Sequence, residues 1–106
     1  MAYVVSATWT AEPGQEDVVR DAIDKLTPPS REESGNVFYQ AYQDASEPLV
    51  FRLFEIYEDE DAYAAHGAST HFKEFALEQA IPVLANRERA FYETIDDHAG
   101  GLGGAA

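Results

Sequence analysis

From Tyr3 to Thr10 the chain alternates, with Tyr3, Val5, Ala7 and Trp9 on one side and mostly small polar residues on the other, the period-2 pattern of a strand. After the turn Glu12-Pro13-Gly14 the period lengthens. Gln15, Glu16 and Asp17 open a helix in which Val18, Val19, Ala22, Ile23 and Leu26 recur at three- and four-residue steps, with its acids at the positive end of the dipole. Thr27-Pro28-Pro29 predicts its stop. A polar stretch, Ser30 to Gly35, leads into a β-branched and aromatic strand over 36–42, and the connector Asp44 to Pro48 precedes a strand over 49–57, so the two form a hairpin. Asp59 predicts a cap for a brief helix ending at His66, and Gly67 breaks it. Ser69 predicts a cap for a second segment whose stripe is Phe72, Phe75, Ala76 and Gln79. Pro82 falls near that helix's end, and 89–95 reads as a last strand. The order β-α-β-β-α-β predicts an α+β, ferredoxin-like fold: a four-stranded antiparallel sheet with its helices on one face.

The same alternation raises a question about the other face. Val4, Phe38, Tyr42, Phe54, Ile56 and Tyr92 have the parity opposite to the helix-facing set, and a patch of that size is more than a monomer ordinarily exposes. Sheet-to-sheet packing of two copies about a two-fold axis would cover it, so a homodimer is expected.

Residues 1–95 read as one ordered domain and 96–106 as a flexible tail, which holds four of the seven glycines and one histidine, His98. The longest apolar run, Met1 to Val5, falls far short of the roughly 20 residues that span a bilayer. With no basic-then-apolar leader, a cytoplasmic location is expected and no membrane partner. Cysteine is absent, which removes disulfides, thiolate nucleophiles and zinc–cysteine sites. Charge is lopsided: 20 Asp and Glu against 7 Lys and Arg give −13, so nucleic acid, which needs clustered cations, is not an expected partner.

Candidate chemistry centres on His66 and His71, since imidazole is the side chain that titrates near neutrality. They lie five apart across a helix break, without His-Glu-x-x-His or His-x-His spacing, so no metal is expected. Each can pack against a carboxylate or cap a helix, or serve as a base or donor at a pocket mouth. Trp9, Phe51, Phe72 and Phe75 suit a plain core. Tyr39, Glu55 and Tyr57, however, share the helix-facing parity and set polar tips into that apolar wall, the composition of a small-molecule pocket. A buried Glu55 needs a partner, and His66 is the candidate. Phosphate-loop, dinucleotide and Gly-x-Ser-x-Gly motifs are missing.

The segments Thr10 to Asp17, Glu33 to Tyr39 and Phe51 to Ala62, followed by Ala65-His66 and Ser69-Thr70-His71-Phe72, together resemble the antibiotic biosynthesis monooxygenase family of the dimeric α+β barrel superfamily. The resemblance runs from about Val4 to Ile95. It implies a dimer with packed sheets, a cavity between sheet and helices in each subunit, and a cofactor-independent oxygenation in which a deprotonated electron-rich aromatic of quinol or anthrone type passes an electron to dioxygen. In that scheme His66 would be the base, oriented by Glu55. Trp9, Phe51, Phe72 and Phe75 would be walls, while Tyr39 and His71 would hydrogen-bond the ring oxygens. Haem-degrading relatives carry an Asn and a His where this chain has Ala7 and Ala76, so no haem is implied. Asn36 stands where a Cys is frequent. The competing classes are a binding or stress-response dimer without chemistry, and an isomerase of a small oxygenated metabolite, which needs proton transfer but no dioxygen.

Overall fold

The computed structural model describes residues 1–96. The order is β1 (Tyr3–Ala11), α1 (Glu16–Arg31), β2 (Asn36–Gln43), β3 (Val50–Tyr57), α2 (Glu60–Gly67), α3 (Phe72–Ala80), a 3₁₀ turn (Ile81–Val83) and β4 (Leu84–Glu93). The strands form one antiparallel sheet in the order β2-β3-β1-β4. This is the expected ferredoxin-like arrangement. The tail expected over 96–106 lies, beyond Asp96, outside the described residues. Within them no helix is long and apolar enough to cross a membrane.

The helices lie on the face predicted to receive them. Ala7, Trp9, Tyr39, Phe51 and Leu53 from the sheet pack against Val19, Ala22, Ile23 and Leu26 of α1 and Ala76 and Ala80 of α3. Each fully buried large apolar side chain contributes about 1.5–3 kcal/mol by leaving water. On the opposite face Ile56 and Ala2 are buried among Val4, Val37, Phe38 and Phe54, whereas Tyr42 and Tyr92 are half exposed. Val37 joins that face because the β2–β3 register slips between Asn36 and Phe38, which puts an extra residue into β2.

Three boundaries differ from the sequence reading, each for a physical reason. Helix α1 does not stop at Pro28-Pro29 but continues to Arg31. The prolines deprive the carbonyls of Asp24 and Lys25 of their helical donors, yet both residues are exposed and water can serve instead. Beyond them Ser30 is buried, and Arg31 donates from Nε and Nη2 to the Tyr39 carbonyl at 3.0 and 2.9 Å, which holds the last turn down. Strand β4 begins at Leu84 rather than 89 and ends at Glu93, leaving Ile95 outside the sheet. As an edge strand its early part carries Asn86, Arg87 and Glu88, whose polarity hides the alternation. Helix α3 is capped as predicted, with Ser69 Oγ accepting from Phe72 N at 3.1 Å, but it winds in the wider i→i+5 frame.

One glycine decides where α2 sits. A Cβ on Gly35 would come within 2.5 Å of the Ala62 Cβ, and the Gly35 carbonyl accepts from Glu58 N at 2.9 Å. Asp59 caps α2 through Ala62 N at 2.8 Å, so the helix starts directly against the beginning of β2. Gly35→Ala is expected to push α2 off β2 and cost about 1–3 kcal/mol, read as a lower urea midpoint. A variant as stable as the parent would show that this contact does not fix the helix.

Candidate active site

The close seat of α2 on β2 has a direct chemical result. His66 is one helical turn beyond Ala62, on the same side of α2, and therefore lands on the segment between α1 and β2. There Glu33 waits, placed by the Arg31 anchor on one side and by its own carbonyl accepting from Asn36 N at 3.1 Å on the other. His66 Nδ1 meets Glu33 Oε2 at 2.8 Å, and His71 Nε2 meets the same oxygen at 2.5 Å. A carboxylate only accepts, so both imidazole nitrogens carry their hydrogens toward Glu33. In neutral His66 the remaining nitrogen, Nε2, then holds a lone pair.

Nε2 faces Glu55, whose Oε1 stands 4.0 Å away and accepts from the Tyr57 hydroxyl at 2.7 Å. The carboxylate in hydrogen-bond contact with His66 is therefore Glu33, not Glu55 as expected; β3 points Glu55 at the opposite edge of the ring. The two acids differ in environment. Burial pushes the Glu33 carboxyl up, but the two imidazole hydrogen bonds outweigh it and hold its pKa below the ordinary value. Burial dominates for Glu55 and raises it, against the opposing Tyr57 hydrogen bond and the nearby His66. Tyr57 is raised by burial and by the Glu55 charge, so it remains a phenol that donates.

The imidazole is walled by rings: Phe72 edge-on at 5.2 Å, Tyr57 at 5.6 Å, Tyr39 at 5.9 Å and Tyr63 stacked at 6.4 Å between centroids. Beside it lies a cavity of about 20 Å³, floored by Ala7, Trp9 and Leu53 of the sheet and closed by Leu26, Phe72 and Tyr63. Glu55, Tyr39, Arg87 and Arg89 complete it. Its closed volume suits about one water.

Of the eight residues singled out from the sequence, the structure brings His66, Glu55, Trp9, Tyr39 and Phe72 to this cavity. His71 lies behind Glu33 rather than on the wall. Phe51 and Phe75 pack in the main core. Glu33, Tyr63, Arg87 and Arg89 were missed: Glu33 sits in a polar connector with no periodicity, and Arg87 lies on the early part of β4 whose start was hidden, whereas Arg89 falls within the strand read over 89–95. Tyr57 had the right parity, and that signal was available.

Arg87 Nε in the cavity lining and Glu33 Oε1 behind His66 are buried with no partner within hydrogen-bonding geometry, while the Tyr39 hydroxyl and Ser30 Oγ have none besides each other. Such atoms are costly in a finished core and are where a ligand or water would bond. Burial holds the Tyr39 phenol well above its ordinary pKa, and burial together with Arg89 lowers that of Arg87. One further arrangement was not legible from the spacing of the histidines: Glu33, His66 and His71 bring three ligand-type atoms within 4.8 Å of one another.

The family model described as antibiotic biosynthesis monooxygenase matches residues 2–77. Among solved structures, the protein PA3566 of Pseudomonas aeruginosa is 26% identical, with a TM-score of 0.83 over 90% of this chain and 95% of that one. Rv0793 of Mycobacterium tuberculosis is 22% identical, with a TM-score of 0.83 over 92% and 98%. A structure described as an antibiotic biosynthesis monooxygenase is 21% identical, with a TM-score of 0.82 over 91% and 100%. Among curated proteins none matches at a significant level.

Among the described residues the Tyr57 hydroxyl is the donor that meets the Glu55 carboxylate, at 2.7 Å. Tyr57→Phe is expected to leave Glu55 buried without it and to cost about 1–3 kcal/mol, measured by urea denaturation at pH 8. No change would mean that water already serves that oxygen.

Proposed function

The chain belongs to the antibiotic biosynthesis monooxygenase family, and on that premise we propose that it is a cofactor-independent monooxygenase acting on a small electron-rich aromatic of quinol or anthrone type. The observation that carries this reading is the fixed polarity of His66: Nδ1 is tied to Glu33, and the lone pair on Nε2 is presented beside a cavity walled by Trp9 and Phe72.

The chemistry asks little more of the protein. Nε2 takes the acidic proton of the substrate, as a positioned base does, and the imidazolium that forms has Glu33 on one edge and Glu55 on the other. The resulting anion is electron-rich enough to reduce dioxygen directly. For an anthrone-type methylene, one oxygen atom becomes the new carbonyl and the other leaves as water, with all four electrons supplied by the substrate. The Tyr39 hydroxyl, set beside Ser30, and the unpartnered Arg87 Nε are suited to bond the ring oxygens. Exclusion of water keeps the anion reactive and strengthens these interactions.

A cavity of about 20 Å³ must widen to take an aromatic ring. Tyr63 on α2, Phe72 at the start of α3 and Arg89 on β4, which donates to the Tyr63 hydroxyl at 2.9 Å, are lining side chains that reach solvent above the buried floor, so the opening is placed at these three. The small closed volume also gives a second reading its footing, a dimer that binds a small molecule without turnover. Oxygen uptake separates the two.

The working form is proposed to be a homodimer in which the far sheet face of each copy covers the other's Val4, Phe38, Phe54, Tyr42 and Tyr92. Phe54→Glu is expected to turn a dimer into a monomer by light scattering after size exclusion; a monomeric parent would reject the arrangement. For the chemistry, His66→Ala is expected to lower oxygen uptake with hydroquinones or anthrones by about 10²-fold or more, with the circular dichroism spectrum retained. An unchanged rate would remove His66 from the reaction.

A further inference from the structure

Glu33, His66 and His71 do something that the proposed reaction does not require. A single carboxylate is enough to orient His66, yet a second imidazole converges on the same oxygen from the start of a different helix. We infer that these three residues form a binding site for one divalent transition cation of the Zn²⁺ class, and that its occupancy moves the His66 ring hydrogen from Nδ1 to Nε2 and so silences the base.

The donor set comes first. Two imidazole nitrogens and one carboxylate oxygen are the borderline ligands that such ions favour, and three protein ligands leave a fourth position for water. The geometry is close to what the ion needs. With metal–ligand bonds of about 2.0–2.1 Å, the donors of a tetrahedral site stand about 3.3 Å apart. Here Glu33 Oε2 is 2.8 Å from His66 Nδ1 and 2.5 Å from His71 Nε2, and all three residues' donor atoms fall within 4.8 Å. Two nitrogens bound to one ion at those lengths stand at most about 4.1 Å apart, so filling the site draws the His66 and His71 rings toward each other by up to about 1.5 Å while the carboxylate retreats by less than about 1 Å.

An independent observation comes from the other carboxylate oxygen. Glu33 Oε1 is buried and without a hydrogen-bond partner, which leaves a coordinating atom idle beside the cluster. The far side of His66 also offers a carboxylate, beyond hydrogen-bond distance, toward which a distal ring N–H could close. Its Nε2 faces Glu55 Oε1 at 4.0 Å, and Glu55 is held in turn by Tyr57. A carboxylate accepting from the distal N–H of a ligating histidine fixes the ring and strengthens its donor nitrogen. Access does not compete with substrate: the side chains of His71 and Glu33 are 20% and 16% exposed, whereas His66 is 3% exposed. The ion therefore enters behind the cavity. A chain carrying a net charge of −13 also concentrates cations around itself.

The tautomer shift follows from the ligation. Nδ1 must offer its lone pair to the metal, so in a neutral ring the hydrogen resides on Nε2, where it points at Glu55. A nitrogen bearing that hydrogen takes no proton from a substrate. The silencing thus rests on the function proposed above, whereas the site itself does not.

The test uses the full chain after chelator treatment, titrated with Zn²⁺ by calorimetry. One ion per chain is expected, with at least tenfold weaker binding in His71→Ala and in Glu33→Gln. His71 is partly exposed, so its variant carries the test even where Glu33→Gln fails to fold. Affinity unchanged in folded His71→Ala, or several weak ions that it does not affect, would overturn the site and assign binding to surface carboxylates. Nitrogen-15 NMR of the imidazoles reads the second half: the His66 hydrogen is expected on Nδ1 without metal and on Nε2 with it, and a hydrogen that stays on Nδ1 overturns the switch. Oxygen uptake distinguishes the two proposals. Uptake that falls as Zn²⁺ fills the site supports both, and uptake that persists at full occupancy overturns the switch. A chain that binds Zn²⁺ as expected but never consumes oxygen upholds the site and removes the oxygenase reading. One that consumes oxygen but binds no Zn²⁺ does the reverse.

Discussion

The Glu33 carboxylate, shared between two imidazoles, is the interaction on which the arrangement of the site depends. A hydrogen bond to a charged group contributes about 1.5–3 kcal/mol, so two to one oxygen weigh heavily in a small domain. They also join three separate parts of the chain. Glu33 belongs to the connector after α1, His66 to the end of α2, and His71 to the approach to α3. Without this oxygen, the ring of His66 would have no preferred edge toward the cavity. With it, Nδ1 is committed and Nε2 is left for chemistry.

That interaction is reached only because backbone contacts bring the pieces close. The Arg31 guanidinium fastens the last turn of α1 to the Tyr39 carbonyl, and Gly35 lets Ala62 sit where a side chain would otherwise stand. Packing of small residues thus sets the position of a charged group. The same economy appears at Ser69, whose hydroxyl donates to the His66 carbonyl at 2.6 Å and accepts from Phe72 N. One side chain closes α2 and opens α3, and in doing so fixes the spacing between the two histidines.

Around this core of contacts the environment sorts otherwise similar groups. Glu33 and Glu55 are both carboxylates near one imidazole, but the first accepts two imidazole hydrogens and stays ionised easily, while the second is dominated by burial. The phenols of Tyr39 and Tyr57 are both raised, so neither competes with His66 for the proton chemistry near neutrality. Burial at one place and donors at another give the pair of acids opposite tendencies on the two edges of a single ring.

How much of this was legible in the chain follows from the range over which each signal acts. Alternation and helical periodicity are local, so the order of elements, the helix-facing parity of Trp9, Tyr39, Glu55 and Tyr57, and the caps at Asp59 and Ser69 could all be read from neighbouring residues. The apolar character of the far sheet face was legible for the same reason. The local rules failed where a distant contact outweighed them: α1 passes Pro28 and Pro29 because Ser30 is buried and Arg31 finds a carbonyl on β2, and β4 begins early because pairing with β1 overrides its charged composition. Phe51 and Phe75 could not be told from cavity walls, since an aromatic on the correct face can fill a core or line a space. The partner of His66 was the least legible of all. Glu55 had the right parity, but Glu33, thirty-three positions from His66, reaches the ring through the close approach of Gly35 and Ala62. Periodicity assigns a residue to a face; which of two acids on that side comes within 2.8 Å of a nitrogen depends on the docking of α2, and only the tertiary structure decides that.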